Sequence, residues 1–148
     1  MAKINYYGKY RAKVQNVNDP EKRGRIRVLC PKVLGESVSN WCEPCVPVAY
    51  NFGGDFAIPK VGETVWVEFE AGDVNKPIYT GGWWSTNSTP SNPYDVGTRL
   101  ITWGNCKISI SDNEVSITAP SVKVNGSEVA RKGDTVTVNT ETGKGYIG

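Results

Sequence analysis

Cys42 and Cys45 form a C-x-x-C motif, a spacing that in other proteins binds zinc or exchanges electrons. A structural zinc site needs four ligands, and the chain has four cysteines and no histidine, so Cys30 and Cys106 would have to complete it. A redox pair usually opens a helix, whose dipole lowers the thiol pKa, whereas Trp41 and the residues after the motif favour a strand or loop. We therefore expect no bound metal, and we interpret the two cysteines of the motif as small buried apolar residues.

The remaining candidates for catalysis are pairs of acidic residues, because a chain without histidine cannot form a Ser-His-Asp or Cys-His site. Glu68 and Glu70 lie two residues apart, as do Asp112 and Glu114. A pair that cleaves glycosidic bonds needs one carboxyl group in an apolar pocket beside a second in polar surroundings, and nothing in the sequence marks such a pocket. The sequence also has no phosphate-binding glycine motif. It therefore predicts a protein without enzymatic activity, catalytic residues or cofactor.

Basic residues are concentrated at the start of the chain, although the net charge of the whole sequence is only +2. Residues 1–30 hold eight Lys or Arg against two acidic residues, a net charge of +6, and the rest of the chain carries −4. Arg11 and Lys13 alternate with Ala12 and Val14, which is typical of the solvated face of a strand or of a protein interface. A basic cluster also fits nucleic acid, so nucleic-acid binding stays open as an alternative.

The elements that would position these residues are short strands, since no stretch repeats apolar residues at the spacing of an amphipathic helix. Val65, Val67 and Phe69 share one face of a predicted strand, and the intervening side chains share the other. Strands are predicted at residues 10–17, 24–30, 45–49, 63–70 and 76–82. Five strands without helices within residues 1–84 favour a closed or nearly closed barrel of the OB type.

Residues 85–105 are predicted to be a linker between this barrel and the rest of the chain. Residues 85–93 contain no apolar side chain other than those of two prolines. Such a composition favours a semi-extended connection without regular structure.

Residues 106–148 carry apolar side chains at alternating positions of very short runs, separated by turn formers such as Asn125-Gly126. One copy of the chain cannot bury these apolar side chains, because isolated short hairpins are marginally stable in water. We therefore predict that several copies of the chain wind about a common axis and form a stiff β-structure. The side chains predicted to form the shared core are Ile108, Ile110, Val115, Ile117, Val122, Val124, Val136 and Val138.

Four blocks of the first domain follow in the order known from one family. Residues 7–14 resemble its opening strand, and residues 18–28 resemble its Asp-Pro and Gly-Arg-x-x-Val signature. Residues 58–69 are similar to its Pro-x-x-Gly-(Asp/Glu)-x-Val-x-Val-x-Phe block, and residues 72–82 to its Gly-Asp-x-x-(Arg/Lys)-Pro-x-x-x-Gly block. The family is the OB-fold domain shared by phage baseplate assembly protein V, the central spike proteins of contractile tails and the valine-glycine-repeat spike proteins of type VI secretion.

The resemblance implies a structural, trimeric spike that pierces membranes and has no active site of its own. The OB domains would cap the tail tube and contact tube and baseplate hub proteins, and the C-terminal strands of three chains would intertwine into a β-helix or β-prism needle. A separate tip protein would be a further possible partner, and contact with the host membrane would be transient. The expected location is a virion tail baseplate or an equivalent contractile particle, after synthesis in a bacterial cytoplasm without a signal peptide.

Two departures from the family pattern bear on this expectation. Some members carry a lysozyme domain between barrel and needle, where this chain has the predicted linker, and some needles end in a histidine-bound metal, whereas this chain has no histidine. The alternative function is that of an OB-fold protein that binds single-stranded nucleic acid and oligomerises through its β tail. The surroundings of the tryptophans and of the N-terminal basic residues distinguish the two functions.

Overall fold

Short strands form most of the regular structure of the chain, as its alternating pattern predicts. The computed structural model describes residues 4–86, 88–90, 96–131, 136–138 and 145–147, and the side chains among them up to residue 127. The chain divides into a first unit, Met1–Thr89, and a second unit, Pro90–Gly148. No helix in the described part of the chain is long and apolar enough to span a membrane.

The first unit consists of strands with one single-turn helix and one 3-10 turn. In chain order its elements are β1 (Tyr10–Asn16), β2 (Arg27–Leu29), α1 (Pro31–Leu34), β3 (Glu43–Pro44), β4 (Ala49–Tyr50), β5 (Gly53–Gly54), β6 (Thr64–Phe69), the 3-10 turn (Glu70–Gly72) and β7 (Pro77–Gly82). Strands β4 and β5 pair with each other as a small separate hairpin. The remaining strands build the main sheet.

The main sheet has the strand order β2-β1-β6-β7-β3, and it is antiparallel except where β3 lies parallel to β7. The segment before β3 also bridges the opposite edge of the sheet, since Val38 pairs with Leu29 and Cys42 with Ile26. The amide of Cys42 donates to the carbonyl oxygen of Ile26 at 2.7 Å. One segment therefore reaches both edges, and the sheet curls back on itself. An all-β, OB-like first domain is confirmed.

The core of the first unit lies inside this curled sheet. Alternation in β6 points Val65, Val67 and Phe69 inward, as the sequence predicts. The hydroxyl of Tyr79 donates to the carbonyl oxygen of Gly24 at 2.8 Å, so this core residue buries its ring with a satisfied polar end. The buried core residues are Ala12, Val14, Ile26, Val28, Cys30, Cys42, Val65, Val67, Phe69 and Tyr79.

Two parts of the first unit differ from the prediction. The strand predicted at residues 45–49 is wrong, because the amide of Cys45 makes a last bond to the carbonyl oxygen of Tyr79 at 2.9 Å and Pro47 offers no amide to continue the pairing. The chain leaves the sheet there and forms the hairpin β4–β5. The single-turn helix α1 was not predicted, and it begins at Pro31, whose fixed φ suits a first helical position.

The second unit consists of antiparallel strands that pair with their neighbours in sequence. Its strands are β8 (Arg99–Trp103), β9 (Cys106–Ile110), β10 (Val115–Thr118), β11 (Ser121–Val124), β12 (Ser127–Arg131), β13 (Val136–Val138) and β14 (Gly145–Ile147). Strands β8, β9 and β10 form one sheet, and β11–β12 and β13–β14 form two hairpins. These pairings join strands of one chain, and the intertwined needle of several chains remains a prediction.

Strand β8 lies within the segment predicted to be a linker. Its register with β9 pairs Trp103 with Cys106 and leaves Gly104 and Asn105 as a two-residue turn. Gly104 has a φ of 58°, which suits the first turn position of a tight hairpin. Part of the predicted linker, from Arg99 to Trp103, is therefore a strand.

Candidate assembly surfaces

The sheet β8-β9-β10 has one mainly apolar face, on which Arg99 lies beside Ile110. The register places Ile108 between Ile101 and Ile117, and Ile110 beside Val115, so these five side chains share that face. All five are exposed in the single chain, from 38% for Ile108 and Ile110 to 66% for Val115. A contiguous exposed apolar face of this kind marks an interaction surface.

The opposite face of the same sheet carries mainly polar side chains. Ser109 pairs with Ser116, and Lys107 pairs with Thr118. Lys107 and both serines are half-buried, whereas the apolar partners on the other face are exposed. The apolar face is therefore the more accessible of the two, the reverse of what a sheet that folds onto its own core would show.

Four of the eight predicted core residues, Ile108, Ile110, Val115 and Ile117, lie together on this apolar face. Two others belong to the separate hairpin β11–β12, where Val122 is half-buried and Val124 is exposed. The backbone of β13 contains the last two, Val136 and Val138, whose side chains lie outside the described residues.

The outer face of the barrel carries a stack of aromatic and basic side chains. The Arg11 guanidinium lies 4.6 Å from the ring centre of Trp83 and 5.5 Å from that of Trp66. Lys9 donates to the Glu68 carboxylate at 2.7 Å, and both side chains are partly exposed. Arg11 therefore covers one face of each of these two tryptophans, and a base could stack there only by displacing it.

A second cluster of charges lies in the loop between β1 and β2. The Asp19 carboxylate accepts both guanidinium bonds of Arg25, at 2.7 and 3.1 Å, and the backbone amides of Glu21, Arg23 and Arg25. The side chain of Asp19 is 4% exposed and that of Arg25 is 10% exposed. The bonds from Arg25, followed by those from the amides, hold the pKa of Asp19 well below its usual range, although desolvation opposes them.

Two other basic residues of this region, Arg23 and Arg27, also have partners within the first unit. Arg23 pairs with Glu21 at 3.2 Å and with Glu43 at 3.0 Å. Arg27 donates to the carbonyl oxygen of Ser39 at 2.8 Å and lies over the ring of Trp41. Much of the positive charge near the N-terminus is therefore neutralised or used in packing, which disfavours the phosphate-binding interpretation.

The C-x-x-C motif is divided between the core and the surface. Cys42 is buried, as expected, and desolvation raises the pKa of its thiol to about 11. Cys45 is exposed, so the expectation that it is buried is wrong, and the reason is that the chain leaves the sheet at this residue. Burial also raises the pKa of Cys30, whereas Cys106 is exposed. Within the described ranges, no group of three metal-ligating residues comes together.

A further surface of the barrel lies at the hairpin β4–β5 and the residues around it. We call residues 48–56 the aromatic hairpin, because Tyr50, Phe52 and Phe56 are 70%, 102% and 75% exposed. These residues adjoin a cavity of about 410 Å³, whose lining includes Phe52, Phe56, Val46 and the aromatic ring of Tyr79. The two glycines after Phe52 are typical of a loop, but only the structure shows that the aromatic side chains around them are exposed.

Comparison with known proteins assigns a family to the barrel. A family model described as the type VI secretion system and phage-baseplate injector OB domain matches residues 10–84, which is just over half of the chain. The matched region contains β1 to β7, the Asp19–Arg25 pair and the aromatic hairpin. No curated protein matches the chain.

Proposed function

We propose that this chain, which belongs to the family of type VI secretion and phage-baseplate injector OB domains, is the central spike protein of a contractile injection machine, namely a phage tail baseplate. The observation that carries the proposal is the exposed apolar face of β8-β9-β10, in the same chain as the family's barrel. A spike requires a stiff shaft, and such a face gives several chains a common core.

The shaft is a homotrimer in this proposal. Burial of one Ile or Val side chain contributes about 1.5–3 kcal/mol, and each position enters three times when three chains meet on one axis. The core would contain Ile108, Ile110, Val115 and Ile117 of each chain, followed along the shaft by Val122, Val124, Val136 and Val138. The three chains intertwine into a β-helix or β-prism needle, in which the backbone hydrogen bonds resist bending.

The work of such a protein is mechanical. The barrel caps the tail tube and contacts tube and hub proteins, and the needle transmits the force of the contracting sheath to the host envelope. Contact with the host membrane is transient, and a separate tip protein is a partner of the C-terminal end. The protein acts in the virion tail without enzymatic activity or a cofactor.

The nucleic-acid alternative is disfavoured by the contacts of the basic residues. Arg11 covers one face of Trp66 and of Trp83, and Asp19 binds Arg25 in the loop between β1 and β2. A single-stranded nucleic acid would have to displace these contacts before it could stack on the covered faces of Trp66 and Trp83 or pair a phosphate with Arg25. Binding of single-stranded DNA that weakens steeply with salt would contradict the spike proposal.

The trimer is tested by placing a charge on either face of β10. Ile117→Asp puts a carboxylate into the proposed core, whereas Thr118→Asp puts one on the opposite face of the same strand. Light scattering should give about 49 kDa, three chains of 16.2 kDa, for the natural protein and for Thr118→Asp, and a smaller mass for Ile117→Asp.

Alkylation of cysteines provides an independent measurement on the same variants. Cys106 lies on the apolar face and is exposed in the single chain, so assembly should protect it from iodoacetamide. Cys45, which is exposed on the barrel, serves as the internal reference. Equal labelling of both thiols in the natural protein, or an Ile117→Asp variant with the mass of the natural protein, would contradict the trimer.

A further inference from the structure

The aromatic hairpin concentrates exposed apolar surface on one side of the barrel. Val48, Tyr50, Phe52 and Phe56 lie within nine residues, and each is more than half exposed. The adjoining cavity of about 410 Å³ is lined by apolar side chains such as Val46 and Ile58. A projecting aromatic side chain beside an apolar hollow is the arrangement that supplies most of the energy of protein interfaces.

We propose that the aromatic hairpin is the docking surface of the barrel for a different protein of the particle, one that presents apolar side chains to the cavity and an apolar hollow to Phe52. This inference rests on the proposed function, since it assigns to one surface the contact with a hub or tail-tube protein. The partner chemistry is that of a protein interface centre, apolar in the middle with a polar rim.

The position of the cavity favours a different protein over a second copy of this chain. Phe52 projects from the surface, and together with Phe56 it also lines the cavity, so the knob and the hollow form one patch. Mutual insertion of two such patches requires a two-fold axis, whereas the chains of a cyclic trimer meet through two different patches. Because the knob and the hollow lie on one patch, the geometry favours a different protein over a second copy as its occupant.

The charges around the cavity favour a protein over an anionic membrane or a nucleic acid. Arg23 is the basic residue among those that line the cavity, and its guanidinium is paired with Glu21 and Glu43. Asp55 adds a carboxylate to the lining. Phosphate groups would meet no excess of positive charge there, whereas an apolar protein segment needs none.

The backbone at Phe52 provides a variant that separates binding from folding. Phe52 has a φ of 64°, a conformation that asparagine adopts more readily than a bulky aromatic residue. Phe52→Asn therefore removes the exposed ring without added backbone strain, and we expect its Tm to equal or exceed that of the natural protein. Val61→Ser is a matched control, because Val61 is 59% exposed and does not line the cavity.

The experiment uses the full chain with the purified hub protein and the purified tail-tube protein of the same particle as probes, each in a binary binding measurement. We expect one of them to bind, Phe52→Asn to weaken that binding about tenfold or more, and Val61→Ser to leave it unchanged. Phe56→Ser is the second variant, so that the result does not depend on Phe52→Asn alone. Light scattering on every variant reports the trimer separately.

The outcomes distinguish the docking surface from the spike proposal. The docking surface is overturned if binding survives both aromatic variants, or if neither probe binds. A trimer that stays intact in these measurements leaves the proposed shaft in place. Loss of the trimer in Phe52→Asn shows that the hairpin joins copies of this chain, which also overturns the docking surface. The protein can also be floated with vesicles of phosphatidylglycerol and phosphatidylethanolamine. If it floats with them only when Phe52 is present and binds neither protein, the partner is a membrane and the proposed protein docking surface is overturned.

Discussion

At the scale of single residues, the contact that best explains the barrel's local structure joins Asp19 to Arg25. Both belong to the signature segments that carry the family resemblance, and the structure shows that they bind each other. Asp19-Pro20 is typical of a turn, but the sequence could not show that one carboxylate accepts bonds from three amides and a guanidinium. Such a convergence depends on the path of the whole loop, which no local pattern specifies.

Replacement of Asp19 tests the role of this contact. Asp19→Asn places an amide N–H₂ against backbone N–H groups and removes the charge that Arg25 faces. The loop therefore loses hydrogen bonds from its backbone amides and the ion pair with Arg25. We expect the Tm at neutral pH to fall by several degrees, whereas Asp55→Asn, at an exposed acidic residue, should change it little. Calorimetry on the three proteins measures the difference, and equal Tm values would contradict the assigned role.

The same variant shows how the stability depends on pH. The pKa of Asp19 is lower in the folded chain than in the unfolded one, so its contribution is fully present above the unfolded value, which is about 4. That contribution is lost progressively as the pH falls below this value toward the folded pKa. The Tm difference between the natural protein and Asp19→Asn should therefore shrink between about pH 5 and pH 2.

At the scale of elements, the alternation of apolar and polar residues predicts strands in which one face packs on a core. Strand β6 is confirmed with its inward side chains Val65, Val67 and Phe69. A shift of the strand by one residue would turn these apolar side chains away from the core, so the pattern specifies which face is buried. The two-residue strands β3, β4 and β5 are too short to show a period, and their pairing depends on distant segments. The aromatic hairpin therefore could not be predicted from the alternation of apolar and polar residues.

The hairpin β8–β9 shows the other limit of the sequence pattern. Its turn, Gly104-Asn105, is a known hairpin signal, but β8 follows a polar, proline-containing segment and was assigned to the linker with it. The apolar face that the structure shows is consequently larger than predicted, since Ile101 adds to Ile108 and Ile117.

The turn between β8 and β9 can be tested with two substitutions at one position. Gly104 has a φ of 58°, and a Cβ added there meets no other atom within 4 Å, so substitution acts through the backbone alone. Gly104→Val should cost about 1–2 kcal/mol per chain and more than Gly104→Asn, because a positive φ is least favourable for a β-branched residue. A Tm that is lower for the valine variant than for the asparagine variant is expected, and the opposite order would contradict the turn geometry.

At the scale of the whole molecule, the two units differ in how they bury their apolar residues. The first unit encloses its core within one chain, because residues 38–44 bridge both edges of the curled sheet. In the second unit the apolar side chains of β8, β9 and β10 are exposed, and further copies of the chain are the proposed cover. The first unit is thus expected to fold alone, and the second to depend on assembly.

A chain truncated after Thr89 tests this division. We expect it to fold, because its core is complete within residues 10–82, and to be monomeric, because the face proposed to join the chains is absent. The full trimer can unfold only when its intertwined strands separate, so its unfolding in denaturant should be slower than that of the truncated chain by about tenfold or more. Light scattering gives the mass, and far-UV circular dichroism after a jump into denaturant gives the rate. A truncated chain that forms trimers and unfolds as slowly as the full chain would place the assembly in the barrel and remove the main support for the needle.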